Sequence, residues 1–209
     1  DLVCHGVPSP AVFRAYLDGL EAARGSKVVS VRFKDKSHGW SHPWFTAQFA
    51  DGSVYTEDFN RTGYGRGFGM QLFLRPACAR CRYTSTSRPA DFTLADYWGL
   101  DEKLALPVER DKGVSMVLVN SARGQAVFDA LSPRFGQVER PLAEAVAGNP
   151  RLASPLKANP RRAAFFAAFA ALPFAEVEKR FLALPSLPYR AAAKVLTPAM
   201  KEKIRKLLK

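Results

Sequence analysis

Apolar positions along the first third of the chain change period as the local structure is expected to change. Val12, Phe13, Tyr16, Leu17 and Leu20 recur at helical spacing. Ser9 is placed to cap that helix, Pro10 falls at its first position, and Arg24 and Gly25 suit its end. From Lys27 to Lys34 the pattern becomes alternating. Val29, Val31 and Phe33 interleave with Ser30, Arg32 and Lys34, which predicts a half-buried strand. Phe45 to Ala50 and Ser53 to Glu57 flank Asp51-Gly52, a hairpin signal. Gly63, Gly65, Gly67 and Gly69 read as a flexible approach to the short apolar segment Met70 to Leu74. Phe92 to Leu94 reads as a short strand, and Asp96 to Gly99 as a turn carrying an acid and a large aromatic. Val114 to Asn120 is a continuous apolar run that predicts a buried strand, and a helix follows from Gln125.

After about residue 140 Ala, Leu and Phe dominate, with Phe165, Phe166, Phe169 and Leu172 at helical spacing. Pro160, Pro173, Pro185, Pro188 and Pro198 are expected to divide this region into short helices. The expected class is mixed α+β within α/β: a small mixed sheet with a hairpin and flanking helices, then a helical appendage. The expected division is an α/β body over 1–135, continuing a domain begun upstream, and a basic helical region over 136–209. No internal repeat is evident.

Composition sharpens this picture. With 209 residues and 47% hydrophobic content the chain can bury a real core. No apolar run reaches about 18 residues, so no membrane span is expected. The opening Asp1-Leu2-Val3-Cys4 lacks the features of a signal peptide and reads as the middle of a longer protein. The net charge is +12, and from Leu156 onward twelve Lys or Arg face three Glu. A basic tail of this kind suits nucleic acid, anionic lipid, an acidic partner or an anionic cofactor, and equally a solvated helical surface.

The three cysteines are Cys4, Cys78 and Cys81. An odd number with no sign of export argues against a disulfide framework and for metal or redox chemistry in the cytoplasm. Cys78-Ala79-Arg80-Cys81 lets two thiolates share one metal centre. Zinc sites, redox disulfides and iron–sulfur clusters all use that spacing. Cys4 brings the sulfur ligands to three, and a fourth ligand would come from His5, His38, His42, a carboxylate or outside this chain. Arg75, Arg80, Arg82 and Arg88 crowd the pair, and positive charge stabilises thiolates and a net-negative cluster.

Five elements in order then resemble the coenzyme F-420 hydrogenase/dehydrogenase beta-subunit family. Asp1-Leu2-Val3-Cys4-His5-Gly6-Val7-Pro8-Ser9-Pro10 is similar to its D-x-V-C-H-G-V-P-S-P element, and Phe33 to Trp40 to its F-R-D-K-x-x-G-W. Leu74 to Cys81 resembles L-R-P-S-C-x-x-C, Asp91 to Gly99 resembles D-I-T-L-G-D-F-W-G, and Asp111 to Ser115 resembles D-K-G-T-S. Ala95 and Val114 depart mildly from these patterns. The resemblance spans roughly 1–120 and thins after 135. It implies that Cys4, Cys78 and Cys81 are three ligands of a 4Fe-4S cluster. The fourth would lie in an upstream segment that carries a G-T-P-C element and follows a ferredoxin-like domain. It further implies an iron–sulfur flavoprotein passing electrons between the cluster, FAD and an anionic acceptor such as coenzyme F-420, with this fragment alone inactive.

Other residues carry two readings each. Asp96 could orient a flavin or hold a turn, and Trp98 could stack on a flavin or fill a core. Lys112-Gly113-Val114-Ser115 could cradle a phosphate or simply turn into the next strand. His5 could serve a cluster sulfur; His38 and His42 read as loop residues. Arg75 could pair with a flavin or substrate carboxylate, or with Asp91 or Asp96. No hydrolase, Walker or dinucleotide signature is present. Two other functions compete with electron transfer. One is a non-catalytic accessory module of a polysaccharide-assembly system. The other is a zinc-stabilised nucleic-acid-binding module, for which a role in nucleic-acid contact is the weaker expectation.

Overall fold

The structure, a computed structural model, describes residues 1–101, 104–107 and 109–184. Pro185, Pro188 and Pro198, and with them most of the basic tail, lie outside the described residues. The first helix, α1, spans Pro10–Arg24. Ser9 Oγ accepts from the Val12 N–H, and Gly25 closes the helix in the left-handed region at φ 71°. Val12, Tyr16 and Leu17 are buried along its inner stripe.

That stripe packs on an antiparallel meander of β1 (Val28–Asp35), β2 (Trp44–Phe49) and β3 (Val54–Asp58). Phe45, Ala47 and Phe49 of the central strand point into the core, while Thr46 faces Thr56 and Asp35 on the other side. The alternation expected of β1 is broken. Register shifts fall between Val28 and Ser30 and between Arg32 and Asp35, so Val29 turns outward while Val28 and Val31 pack inward.

The glycine-rich stretch is a helix, α2 (Gly63–Gly69), not a flexible approach. Thr62 caps it, and close packing explains the glycines. A Cβ on Gly65 would lie 1.8 Å from the Phe59 carbonyl oxygen, and one on Gly67 would lie 2.1 Å from the Phe73 ring. Tight approach therefore outweighs the poor helix propensity of glycine.

A second, two-stranded antiparallel sheet pairs β4 (Phe92–Asp96) with β5 (Ser115–Val119), so the expected mixed α+β class holds with its strands divided between two sheets. Along β5 only Met116 is fully buried, because this ribbon covers a core on one face alone. The remaining helices are α3 (Ala122–Leu131), α4 (Leu142–Gly148), α5 (Arg162–Ala171) and α6 (Phe174–Val177), the last running on into a wide turn to Leu182. Phe165, Val177, Phe181 and Leu182 join Phe45, Tyr64 and Phe73 in the main core. Ala145 and Leu152 join Val3 and Met116 in a smaller one. Among the described residues no helix is long and apolar enough to cross a membrane.

Candidate metal centre

The segment 1–9 ties the β4–β5 ribbon to the chain around Leu74. Leu2 makes a parallel bridge to Leu94 of β4, and the Val3 N–H donates to the Leu94 carbonyl at 2.9 Å. At the other end Pro8 bridges Leu74, the Arg75 N–H donates to the Val7 carbonyl at 2.9 Å, and the Ser9 N–H to the Phe73 carbonyl at 3.0 Å. Between these anchors the loop carrying Cys4 is pressed against the chain that leads into Cys78. Gly6, at φ +112°, is the residue that permits this. A Cβ there would meet Leu74 Cδ1 at 2.6 Å and Leu156 Cδ1 at 2.9 Å.

Pro76–Arg80 forms a short 3-10 turn in which the Cys78 N–H donates to the Arg75 carbonyl at 3.0 Å. The chain then leaves extended at Cys81, where Thr84 Oγ1 donates to the Cys81 carbonyl. This turn brings the sulfurs of the pair to one side. The Val7 N–H donates to Cys78 Sγ at 3.3 Å, and the Gly6 N–H to Cys4 Sγ at 3.4 Å. Backbone N–H groups aimed at sulfur stabilise thiolate charge.

Cys4, Cys78 and Cys81 line one pocket, with Leu2, Tyr83 and Leu156 as apolar neighbours and Arg88 and Arg151 as cationic ones. All three are free thiols. The Arg88 side chain is only 6% exposed and already engaged, by Asp1 Oδ2 at 3.2 Å and by the Ser85 carbonyl at 2.8 Å. Arg151 differs: its Nη1 is buried with no hydrogen-bond partner. Among the described residues no three His, Cys, Asp or Glu side chains form a group that could hold a metal ion. The thiols share a wall without converging on one point. A polynuclear cluster, in which each thiolate binds a different iron, fits such a spread, and the orphaned guanidinium N–H suits its net negative charge.

A second corner lies alongside. Trp40 Nε1 donates to Asp96 Oδ1 at 3.0 Å, and the Trp40 and Trp98 rings lie against each other with centroids 4.5 Å apart. The Trp40 N–H donates to the Asp111 carbonyl, and Gly113 leaves room for the indole, which a Cβ would approach to 2.7 Å. Ser115 pairs with Asp96 across the β4–β5 ribbon. Lys112 is exposed and held by Glu109 at 3.1 Å, and the N–H groups of Lys112 and Gly113 donate to carbonyls within their own turn. His5, next to Cys4, feels charges from both corners. Partial desolvation lowers its pKa, Lys34 and Arg151 lower it further, and only Asp96 opposes them.

Arg75 lies beside the cysteine turn with its side chain exposed. Its alternative partners are taken: Asp91 is paired with Arg123 at 2.7 Å and accepts from Ser121, and Asp96 accepts from Trp40. His38 and His42 are loop residues whose Nδ1 atoms hydrogen-bond the adjacent Ser37 and Ser41.

The family profile for the C terminus of the coenzyme F420 hydrogenase/dehydrogenase beta subunit matches residues 1–139. The chain belongs to this family. No curated protein and no solved structure matches. The five sequence elements that resemble the family form the two corners described above. The Cys4 and Cys78 elements build the thiol pocket, and the elements ending at Trp40, Gly99 and Ser115 build the aromatic corner. Sequence reasoning missed Arg151 and Asn149, both beyond the matched residues. Asn149 is fully buried and donates through Nδ2 to the Asp96 carbonyl at 3.2 Å. Arg151 stands in a stretch whose positive residues read as surface, so no local pattern marks it.

Proposed function

We propose that this chain is the cluster-bearing C-terminal part of an iron–sulfur flavoprotein oxidoreductase. Cys4, Cys78 and Cys81 are three ligands of a 4Fe-4S cluster, and a residue of an upstream segment is the fourth. FAD is the second cofactor, and the partners are an upstream ferredoxin-like domain or redox protein and an anionic acceptor such as coenzyme F-420. One observation carries this reading: three free thiols from two distant segments line one pocket, beside an unpartnered buried guanidinium N–H.

The cluster, when bound, supplies one-electron transfer. The chain's own residues do the rest. The thiolates bind it. The N–H groups of Gly6 and Val7 reduce the charge density on Cys4 and Cys78. Leu2, Tyr83 and Leu156 give the pocket an apolar side. Arg75, Asp96, Trp98, Lys112 and Ser115 are proposed to face the flavin or the acceptor. In support, Trp98 keeps 38% of its surface exposed while its ring lies tilted against Trp40, and the Arg75 side chain is exposed at the start of the cysteine turn. Free thiols in this number suit a reducing cytoplasm.

The test is anaerobic purification of the full-length protein with its native upstream segment. About four iron and four sulfide per chain, with a broad visible band, are expected. Cys78→Ser is expected to lose most of the iron. A colourless protein without iron removes the reading, and one zinc with no sulfide replaces it by a structural metal site.

A further inference from the structure

We propose that Arg151, outside the part of the chain that matches the family, is a positioning residue of the thiol pocket, holding and electrostatically tuning the anionic group bound there. The inference rests on the reading of that pocket as a cluster site. It starts from a different observation, the placement of one guanidinium.

Arg151 sits in the short turn Pro150–Leu152, which is clamped on both sides. Leu152 is fully buried in the smaller core, and the Leu152 N–H donates to the Asn149 carbonyl at 2.9 Å. The neighbouring Asn149 donates through its own N–H to the Ala145 carbonyl at 2.9 Å and through Nδ2 to the Asp96 carbonyl. The turn therefore has little freedom, and it delivers the Arg151 side chain to the wall shared by Cys4, Cys78 and Cys81. None of the ion pairs among the described residues involves Arg151, and its buried Nη1 has no partner. A buried guanidinium N–H left in that condition calls for a completing ligand, ion or water. The other pocket arginine, Arg88, is tied down through Nε by the Ser85 carbonyl and through Nη1 by Asp1 and the Leu2 carbonyl.

The ligand chemistry that fits is a sulfur-rich anion. A guanidinium donates charge-assisted hydrogen bonds to thiolate or bridging sulfide. Its charge does not titrate in the working range. One-electron reduction of a thiolate-ligated cluster adds one negative charge, so a fixed cation beside it favours the reduced form. Leu156 lies over Gly6 at the same pocket, which makes the region beyond residue 139 part of the site's wall.

The test uses the full-length protein, loaded anaerobically and titrated with redox mediators as the electron source, with the reduced cluster followed by electron paramagnetic resonance. Iron content and circular dichroism are measured on the same samples. Arg151→Met is expected to shift the one-electron equilibrium toward the oxidised form by about tenfold, about 59 mV downward in midpoint potential. Arg151→Lys is expected to fall between it and the parent. Arg123→Met, which removes an exposed ion pair with Asp91, is expected to leave the potential unchanged. A loaded Arg151→Met protein with the parent's potential overturns the proposal. A folded Arg151→Met protein that fails to keep iron, while Arg151→Lys keeps it, supports it. Should Arg151→Met not fold, Arg151→Lys decides. Lysine keeps the charge but loses the planar fork, so a changed potential or weaker iron retention supports the role and identical behaviour overturns it. A parent protein without iron instead removes the underlying cluster reading, which is a separate result.

Discussion

Glu21 shows how one side chain can be held by several donors at once. It lies near the end of α1, 7% exposed, and its carboxylate accepts from Lys27 Nζ at 2.7 Å, Arg14 Nη2 at 2.7 Å and the Val28 N–H at 3.2 Å. Lys27 first, then Arg14, bring its pKa from 4.5 down to about 2. Because the folded value lies below the unfolded one, the stabilisation is present above pH 4.5 and is lost as pH falls toward 2. The expected result is that the difference in urea stability between the parent and Glu21→Gln shrinks over that window. A difference that stays constant from pH 6 to pH 3 contradicts the assignment. The cysteines were legible at this same scale, since their number and spacing are properties of the sequence. Arg151 was not, because what distinguishes it is the lack of a partner, and partners come from distant parts of the chain.

At the scale of elements, α2 is where local preference and packing conflict most. Its glycines argue for flexibility, and an isolated peptide of this sequence would favour coil. The helix forms because Gly63, Gly65 and Gly67 allow the backbone to approach Glu178, Phe59 and Phe73 more closely than any side chain permits. The sign of one substitution separates the two effects. If propensity ruled, Gly67→Ala would stabilise by about 1 kcal/mol. The clash with the Phe73 ring and Leu182 predicts instead a destabilisation of about 1–3 kcal/mol, measured by urea unfolding. The first helix was legible throughout, because its cap, its stripe and its terminating glycine all lie within a few residues of one another. The alternation in β1 was misleading for a related reason: a bulge depends on the partner strand, which the sequence of β1 does not contain.

For the molecule as a whole, the residues beyond 139 complete both cores. Phe165, Val177, Phe181 and Leu182 are buried with Phe45, Tyr64 and Phe73, and Leu152 with Val3 and Met116. Burying one large apolar side chain contributes about 1.5–3 kcal/mol, against a total stability of about 5–15 kcal/mol for a typical domain. A chain cut after residue 139 is therefore expected to lose cooperative unfolding and near-ultraviolet circular dichroism. A cut chain with a sharp urea transition at the parent's midpoint would show that the helical region is not needed for the fold. The sequence by itself determined the order and type of most elements, the mixed α+β class and the three thiols, because caps, periodicity and residue chemistry act over short stretches of chain. Only the tertiary structure decided that Cys4 meets Cys78 and Cys81 on one pocket wall, that Trp40 lies against Trp98 and Asp96, and that an arginine from the helical region reaches the thiol pocket. Those meetings depend on strand pairing and core packing between segments far apart in sequence, where no local pattern can specify which side chains face each other.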